Sequence, residues 1–245
     1  MTAVTPVRRP TISLIIPAYN EQAYLPACLD AVMASVAGKA CEIIVVDNNS
    51  TDGTKDVIAR YPAVTYVFES RKGITRARQR GLIASTGEIL AYVDADTLPP
   101  PGWIEQIWAE FDANEHLACL SGPYTFYDLS GLRNAVSRAW FVAARPFYSI
   151  VGYIIVGGNF AIRRDVLEKM GGFDSSIEFY GEDVDIARRA EKHGKVLFSH
   201  TFVMPTSGRR MRKQGFLKIA GIYFINYFSI VFSGKPATKG YEDVR

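Results

Sequence analysis

Four short apolar runs, each closed by a polar loop and followed by a segment of helical spacing, constrain this chain more than any other feature. Ile12 to Ile16 stops at Pro17-Ala18-Tyr19-Asn20-Glu21, after which Tyr24, Leu25, Cys28, Leu29, Val32 and Met33 recur at helical intervals. Glu42 to Val46 ends in Asp47-Asn48-Asn49-Ser50-Thr51-Asp52-Gly53-Thr54, a run polar enough to require a loop. Ser50 or Asp52 is placed to cap the helix through Val57 and Ile58. Val64 to Phe68 is the third run. It precedes a helix over Gly73 to Ala84 whose apolar positions leave Arg76 and Arg80 on another side. Ile89 to Val93 is the fourth. Strands and helices alternating at this interval predict right-handed β-α-β units and an α/β fold with a mostly parallel central sheet.

The alternation weakens in the second half. After Pro99-Pro100-Pro101, Trp103, Ile104, Ile107, Trp108 and Phe111 mark a helix that packs back on the sheet, and His116 to Ser121 a further strand. Leu132 to Phe147 is expected to be helical until Pro146, and Gly157-Gly158-Asn159-Phe160 precedes a strand-like Ala161-Ile162. Gly171 to Asp174 is a turn. A helix is expected from Gly181 to about His193, and a final strand at Lys195 to Phe198. With no repeat and no low-complexity linker, residues 1–245 are expected to form one domain. Its nucleotide-binding half covers about 11–121, an irregular acceptor-side half about 122–210, and an apolar and basic tail about 211–245.

Composition excludes some functions. The 28 basic and 25 acidic residues leave +3, too little to imply nucleic acid as a partner by net charge. Arg71, Lys72, Arg76, Arg78 and Arg80 form one basic cluster and Arg209, Arg210, Arg212 and Lys213 another, each either a solvated face or a site for an anion. Cys28, Cys41 and Cys119 are odd in number and widely spaced, as expected of buried thiols in a reducing compartment. Met1 to Pro10 lacks the apolar core of a signal peptide, so a cytoplasmic location is expected. Ile219 to Phe232 is apolar but shorter than the roughly 20 residues that span a bilayer. An amphipathic C-terminal helix there either packs on protein or docks on a membrane surface as a peripheral contact. Trp140 to Val156 is longer but broken by Arg145 and Pro146.

The fourth strand ends in Asp94-Ala95-Asp96. Ligands of open α/β sheets collect outside the carboxyl ends of the strands. Two carboxylates at that edge repel unless a cation lies between them, and hard oxygen ligands suit Mg²⁺ or Mn²⁺. A plain Asp-rich turn would explain the pair alone equally well.

The neighbouring motifs change the balance. Pro17 to Glu21, Val45 to Thr54, Gly73 with Ala77-Arg78, and Asp94-Ala95-Asp96 occur in order, followed by Gly158 to Arg164, Gly171 to Asp174 and Gly181-Glu182-Asp183. Together they resemble the family 2 glycosyltransferases of GT-A fold over about residues 11 to 210. The resemblance implies a Rossmann-like nucleotide-diphospho-sugar transferase fold and metal-dependent transfer, with inversion, from a nucleoside-diphosphate sugar, a UDP-sugar in the first instance. The acceptor would be a saccharide or a lipid-linked hydroxyl, in polysaccharide or glycolipid synthesis at the cytoplasmic membrane face.

Residue by residue, Asp47 resembles the carboxylate that accepts from the base, and Pro17, Ala18, Tyr19 and Glu21 the loop walling base and ribose. Asn49, Gly73 and Arg78 fall in the other nucleotide-side motifs. Asp94 would face the ribose and sugar, and Asp96, with Asp94, the Mn²⁺ or Mg²⁺. Arg76, Gly158, Asn159, Arg209 and Arg210 would lie near the diphosphate or the acceptor. Glu182-Asp183 matches the acidic pair at a helix start, with Asp183 as general base, a role worth about 10²–10⁴-fold. First-turn helix charge is the competing explanation and the whole role expected of Asp185. One departure is visible: where many relatives carry a metal-binding His, this chain has Pro205-Thr206-Ser207-Gly208-Arg209-Arg210, and His200 lies a few residues early. A sugar nucleotidyltransferase is the first rival, although it would carry a Gly-rich basic loop after the first strand. A non-catalytic sugar-nucleotide-binding module is the second, opposed by the intact carboxylates.

Overall fold

The computed structural model describes residues 9–131, 135, 155–177, 180–233 and 235–238. In chain order these form β1 (Ile12–Ala18), α1 (Leu25–Val36), β2 (Cys41–Asp47), α2 (Thr54–Ile58), β3 (Thr65–Phe68), α3 (Ile74–Ala84) and β4 (Ile89–Val93). There follow α4 (Trp103–Ala113), β5 (Leu117–Ser121), β6 (Tyr124–Phe126), β7 (Asn159–Arg163), α5 (Arg164–Lys169) and α6 (Glu182–Ala190). The chain continues through β8 (Lys195–Phe198), β9 (Met204–Thr206), α7 (Arg209–Gln214) and α8 (Phe216–Ser233).

Seven strands make one sheet in the order β3-β2-β1-β4-β7-β5-β8. β1 to β4 are mutually parallel, β7 runs antiparallel to both β4 and β5, and β8 is parallel to β5. The near-continuous apolar runs read in the sequence follow from burial on both faces. Successive side chains alternate across the sheet. Ile12, Leu14 and Ile16 pack with Leu25, Leu29, Trp103, Ile104 and Ile107 on one side, whereas Ile15, Ile44, Val46 and Tyr92 pack with Ala77, Leu82, Leu167 and Ile186 on the other. Only β3, at the edge, is largely exposed.

The register sets up one functional edge. Ala18 pairs with Asp47, and Val93 pairs with Asn159. The ends of β1, β2 and β4 and the start of β7 therefore open on the same side. Pro17 was expected in the loop but lies inside β1. Its missing N–H is tolerated because the β4 ladder stops at Ile15.

Other expectations need correction. Lys195–Phe198 is not the final strand: β9 follows and pairs with β6 as a separate two-stranded parallel sheet. Three-residue strands, one containing Pro205, offer no periodicity to detect. The strand expected at Ala161-Ile162 begins earlier, at Asn159, and α6 ends at Ala190 rather than about His193. Asp185 does more than charge a helix end. It is buried and pairs with Arg189 at 2.6 Å, which in turn donates to the Gly172 and Met170 carbonyls and fixes the glycine turn. Apart from residue 135, the helix expected over Leu132 to Phe147, and all but the end of the apolar stretch Trp140 to Val156, lie outside the described residues.

The C-terminal helix forms as expected but is not amphipathic in the usual sense. Ile219, Asn226 and Ile230 are buried on its inner stripe. Tyr223 meets Tyr180 edge to face, and a Cβ on Gly181 would fall 1.9 Å from Ile230, so α8 lies directly on the start of α6. Its outer stripe is also apolar: Phe224, Ile225 and Phe232 are exposed, and Phe228 lies between the two phenylalanines in ring contact with both. Among the described residues no helix is long and apolar enough to cross a membrane.

Candidate active site

The loops after β1 and β2 are laced together. Asn20 N donates to Ser50 Oγ at 3.0 Å, Thr51 N to Asn20 Oδ1 at 2.8 Å and Glu21 N to Thr54 Oγ1 at 2.8 Å. Asn20 and Asn49 take left-handed backbone (φ 52° and 64°), which asparagine tolerates better than most residues. Ser50 thus ties two loops rather than capping α2. Asp52 accepts from Thr54 N at the helix start and from Gln22 N across the gap.

Asp47 is buried at the end of β2, its Oδ1 accepting from Ser50 N at 2.9 Å and its Oδ2 from Tyr66 Oη at 3.1 Å. Asn48, also buried, holds Gly73 by accepting from its N–H at 2.8 Å and donates to the Arg71 carbonyl. Lys72 lies over the Tyr19 ring at 4.4 Å and donates to its hydroxyl. These contacts link the loops after β1, β2 and β3.

A second cluster sits where β4 and β7 meet. Arg78, 2% exposed, projects from α3 and donates through Nη2 to the Gly157 carbonyl at 2.7 Å. The same nitrogen is 3.4 Å from Asp94 Oδ1, and Nη1 is 3.4 Å from Glu182 Oε1. Tyr124 Oη donates to Asp94 Oδ2 at 3.3 Å, and burial among carboxylates raises the phenol's pKa, keeping it a proton donor. The glycines are explained by this crowding. A Cβ on Gly158 would lie 2.3 Å from both Asp94 Oδ2 and Tyr124 Oη, and one on Gly157 would meet Arg78.

Glu182 and Asp183 open α6 behind Gly181, whose φ of 97° suits glycine. Burial, with the neighbouring carboxylate, lifts the Glu182 pKa well above the ordinary range, against the pull of Arg78. Burial also raises Asp183, opposed by a hydrogen bond from Val184 N at 2.8 Å and by Arg78.

Asp96 faces a cation of the protein's own. Its Oδ2 is 3.0 Å from Arg209 Nε, while Arg209 makes a bidentate pair with Glu21 at 2.6 and 2.8 Å. Among the described residues no three His, Cys, Asp or Glu side chains gather as a metal cluster. Two carboxylates are fewer than a hard cation takes, so one held by Asp94 and Asp96 would need phosphate oxygens and water for its remaining positions.

The residues expected at the site differ in where the fold puts them. Asp47, Tyr19, Gly73, Arg78, Asp94, Gly158, Glu182 and Asp183 belong to the two clusters, Asn49 lies in the turn after Asp47, and Asp96 faces Arg209. Glu21 and Arg209 are present, but paired with each other rather than open to base and diphosphate, because each is the other's nearest compensating charge. Asn159 belongs to the core: fully buried, it accepts from Trp103 Nε1 at 3.1 Å and donates to the Gly122 and Phe202 carbonyls. Pro17 and Ala18 are strand residues, whereas Arg76 and Arg210 are half-buried at the edges. Sequence reasoning missed Tyr124, Tyr66 and Asn48. No local pattern marks the two tyrosines, since β6 is three residues long and β3 lies at the sheet edge, whereas Asn48 stands inside the motif after β2 beside the carboxylate that drew notice.

A family model described as Glycosyl transferase family 2 matches residues 13–171. The chain is 32% identical over 203 residues to glycosyltransferase AglE of Haloferax volcanii, covering 79% of this chain and 66% of that protein. It is 26% identical over 203 residues to the probable glycosyltransferase YdaM of Bacillus subtilis, covering 76% and 47% respectively. The chain thus spans about half to two thirds of the length of these relatives. Among solved structures, mannosyltransferase PcManGT from Pyrobaculum calidifontis, in complex with GDP-Man and Mn²⁺, superposes with a TM-score of 0.71 at 23% identity, covering 94% of this chain and 67% of that one. Glucosyl-3-phosphoglycerate synthase from Mycobacterium tuberculosis, in complex with Mn²⁺, UDP and phosphoglyceric acid, gives 0.64 at 22% identity, covering 94% and 80%. At these identities the two structures establish the fold, which is GT-A.

Proposed function

The chain belongs to glycosyl transferase family 2, and we propose that it moves a sugar from a UDP-sugar to an acceptor hydroxyl in a single displacement with inversion. In this reading Asp47 accepts from the base, and Tyr19 and Lys72 wall the nucleotide. Asp94 and Asp96 would hold Mn²⁺ or Mg²⁺, which when bound neutralises the diphosphate leaving group. Asp183 accepts the proton of the acceptor hydroxyl as that oxygen bonds to the anomeric carbon. The bond from that carbon to the diphosphate oxygen breaks, and the nucleoside diphosphate leaves with the electron pair.

The observation that carries the reading is the Arg78 bridge. One buried guanidinium pairs with Asp94, read as the donor side, and with Glu182, the neighbour of Asp183, which supports reading the two carboxylate groups as one site. PcManGT and the M. tuberculosis synthase are structures with a nucleotide or nucleotide-sugar and Mn²⁺, which supports a metal-assisted donor site here. The test is a thermal-shift panel with UDP, GDP, dTDP and CMP, each with and without Mn²⁺. Ligand at 100 times its dissociation constant adds about 2.7 kcal/mol, which for a chain of this size is roughly 5–10 °C. A Mn²⁺-dependent shift with UDP is expected. A shift with GDP alone would overturn the uridine assignment, and no shift with any nucleoside diphosphate would overturn the donor site.

The acceptor side extends the proposal to a membrane. Phe224, Ile225 and Phe232 are exposed on α8, and Lys213, Lys218 and Lys235 are exposed around its two ends. An apolar stripe with basic flanks is complementary to an anionic lipid surface. Docked that way at the cytoplasmic face, α8 would hold the Glu182-Asp183 pair next to the bilayer, within reach of a lipid-linked or saccharide acceptor.

A further inference from the structure

Arg209 is held more tightly than a surface cation needs to be. Its Nη1 and Nη2 donate to Glu21 Oε2 and Oε1 at 2.8 and 2.6 Å, and its Nε stands 3.0 Å from Asp96 Oδ2. The guanidinium also lies over the Tyr24 ring at 4.6 Å. The backbone around it is pinned to the same place. Asp96 O accepts from Ser207 N at 3.1 Å and from Tyr127 Oη at 3.2 Å, and Arg209 N donates to Ser207 Oγ at 3.2 Å. Glu21 is 3% exposed, and the Arg209 and Asp96 side chains are 12% and 13% exposed. One fork thus joins the loop after β1 to the loop after β4.

We propose that Arg209 is an internal counter-ion that competes with the divalent cation for Asp96. The inference rests on the reading of Asp94 and Asp96 as the metal-holding pair. A cation ligated by Asp96 sits about 2.1 Å from a carboxylate oxygen. A guanidinium nitrogen on the same carboxylate is then only a few ångströms from it, and the two positive charges repel. Bidentate pairing to buried Glu21 keeps the guanidinium from moving far. The carboxylate edge is therefore already partly neutralised, and binding of metal alone is weak. A nucleoside diphosphate adds negative charge and relieves the repulsion, so metal and nucleotide bind together rather than metal first.

The test titrates the full chain with Mn²⁺ alone, following the free-ion electron paramagnetic resonance signal. Arg209→Ala would strand buried Glu21, so the informative variant is the pair Glu21→Gln/Arg209→Met, which removes both charges together. It is expected to bind Mn²⁺ about tenfold more tightly than the wild type. Arg209→Lys, which keeps a partner for Glu21 but cannot fork to Asp96, should fall between them and gives the answer if the double variant does not fold. Unchanged or weaker Mn²⁺ binding in these variants overturns the proposal. Adding Asp96→Asn separates the two ideas. If it abolishes the gained affinity, the competition is located at Asp96. If Arg209 loss gives no gain while Asp96→Asn still weakens wild-type binding, the counter-ion idea alone falls. If Asp96→Asn leaves Mn²⁺ binding unchanged in every background, the metal site itself falls, and the proposal with it.

Discussion

Arg78 and Glu182 are 104 positions apart in the chain and 3.4 Å apart in the fold. Arg78 also pairs with Asp94, so a single buried positive charge faces carboxylates from β4 and from α6. Both contacts are longer than the 2.7–2.9 Å or so of a tight charged hydrogen bond. The short bond is to the Gly157 carbonyl, at 2.7 Å, so the backbone fixes the guanidinium and the carboxylates share its field. With Asp183 adjacent, the cluster holds more negative than positive charge, and that excess adds to burial in raising the acidic pair.

Replacing Arg78 should cost both stability and activity. Arg78→Met leaves the largely buried Glu182, and Asp94 with 36% of its side chain exposed, without their counter-charge. Breaking one side of such a pairing typically costs about 3–5 kcal/mol. Urea denaturation should show a loss of that order, with Arg78→Lys intermediate because a point charge cannot reach both carboxylates and the carbonyl. A loss below about 0.5 kcal/mol, the level of an ordinary surface substitution, would contradict the bridge.

The raised pKa values of Glu182 and Asp183 make a signed pH prediction. As the proposed base, Asp183 must be ionised, so turnover should fall on the acid side with an apparent pKa displaced above the 3.9 or so of a free aspartate. The stability effect runs the other way. Between the unfolded and folded pKa values the native state binds more protons than the unfolded chain, so stability is lost as pH rises through the folded values. Melting curves from acid to neutral pH should therefore show a shallower decline in Asp183→Asn than in the wild type. Asp183→Asn should retain Mn²⁺-dependent UDP binding and lose turnover by about 10²-fold or more. Unimpaired turnover would remove Asp183 from the base role.

Much of this arrangement was legible in the sequence because it lies at strand ends. Asp47 and Asp94 terminate runs whose apolar character comes from burial on both sheet faces, and Glu182 and Asp183 follow a glycine at a helix start. The polar partners were not legible. Tyr124 reaches Asp94 from a strand too short to show a period, and Asn159 looked like a site residue although its amide is consumed by Trp103, Gly122 and Phe202. Arg209 was visible as a basic residue near the site. That its charge is spent on Glu21 and Asp96 depends on the crossing of segments 188 positions apart, which no local pattern encodes.

Gly158→Ala isolates the geometry of Asp94. The added Cβ would fall 2.3 Å from Asp94 Oδ2 and Tyr124 Oη and 2.4 Å from Asp94 Cγ, so the Asp94 carboxylate must shift to admit it. The fold should survive with a modest drop in melting temperature, while Mn²⁺-dependent nucleotide binding weakens by about tenfold or more, equal to at least 1.4 kcal/mol. Wild-type binding in a folded Gly158→Ala protein would mean that Asp94 does not need this position.

Membrane docking through α8 can be tested without disturbing the site beneath it. The inner stripe of Ile219, Asn226 and Ile230 holds the helix to the protein, whereas Phe224 and Phe232 point outward with about 57% and 83% of their surface exposed. Burying a phenylalanine side chain in an apolar environment is worth about 1.5–3 kcal/mol, so two should account for a large share of any binding. Phe224→Ser/Phe232→Ser should keep the wild-type melting temperature and nucleotide shift but sediment at least about tenfold less with vesicles containing anionic lipid. Neutral vesicles and high salt should each weaken wild-type binding, because Lys213, Lys218 and Lys235 act through a screened surface potential. If the double variant sediments like the wild type, the outer stripe is not the docking surface. If it loses melting temperature instead, the stripe is packing against protein.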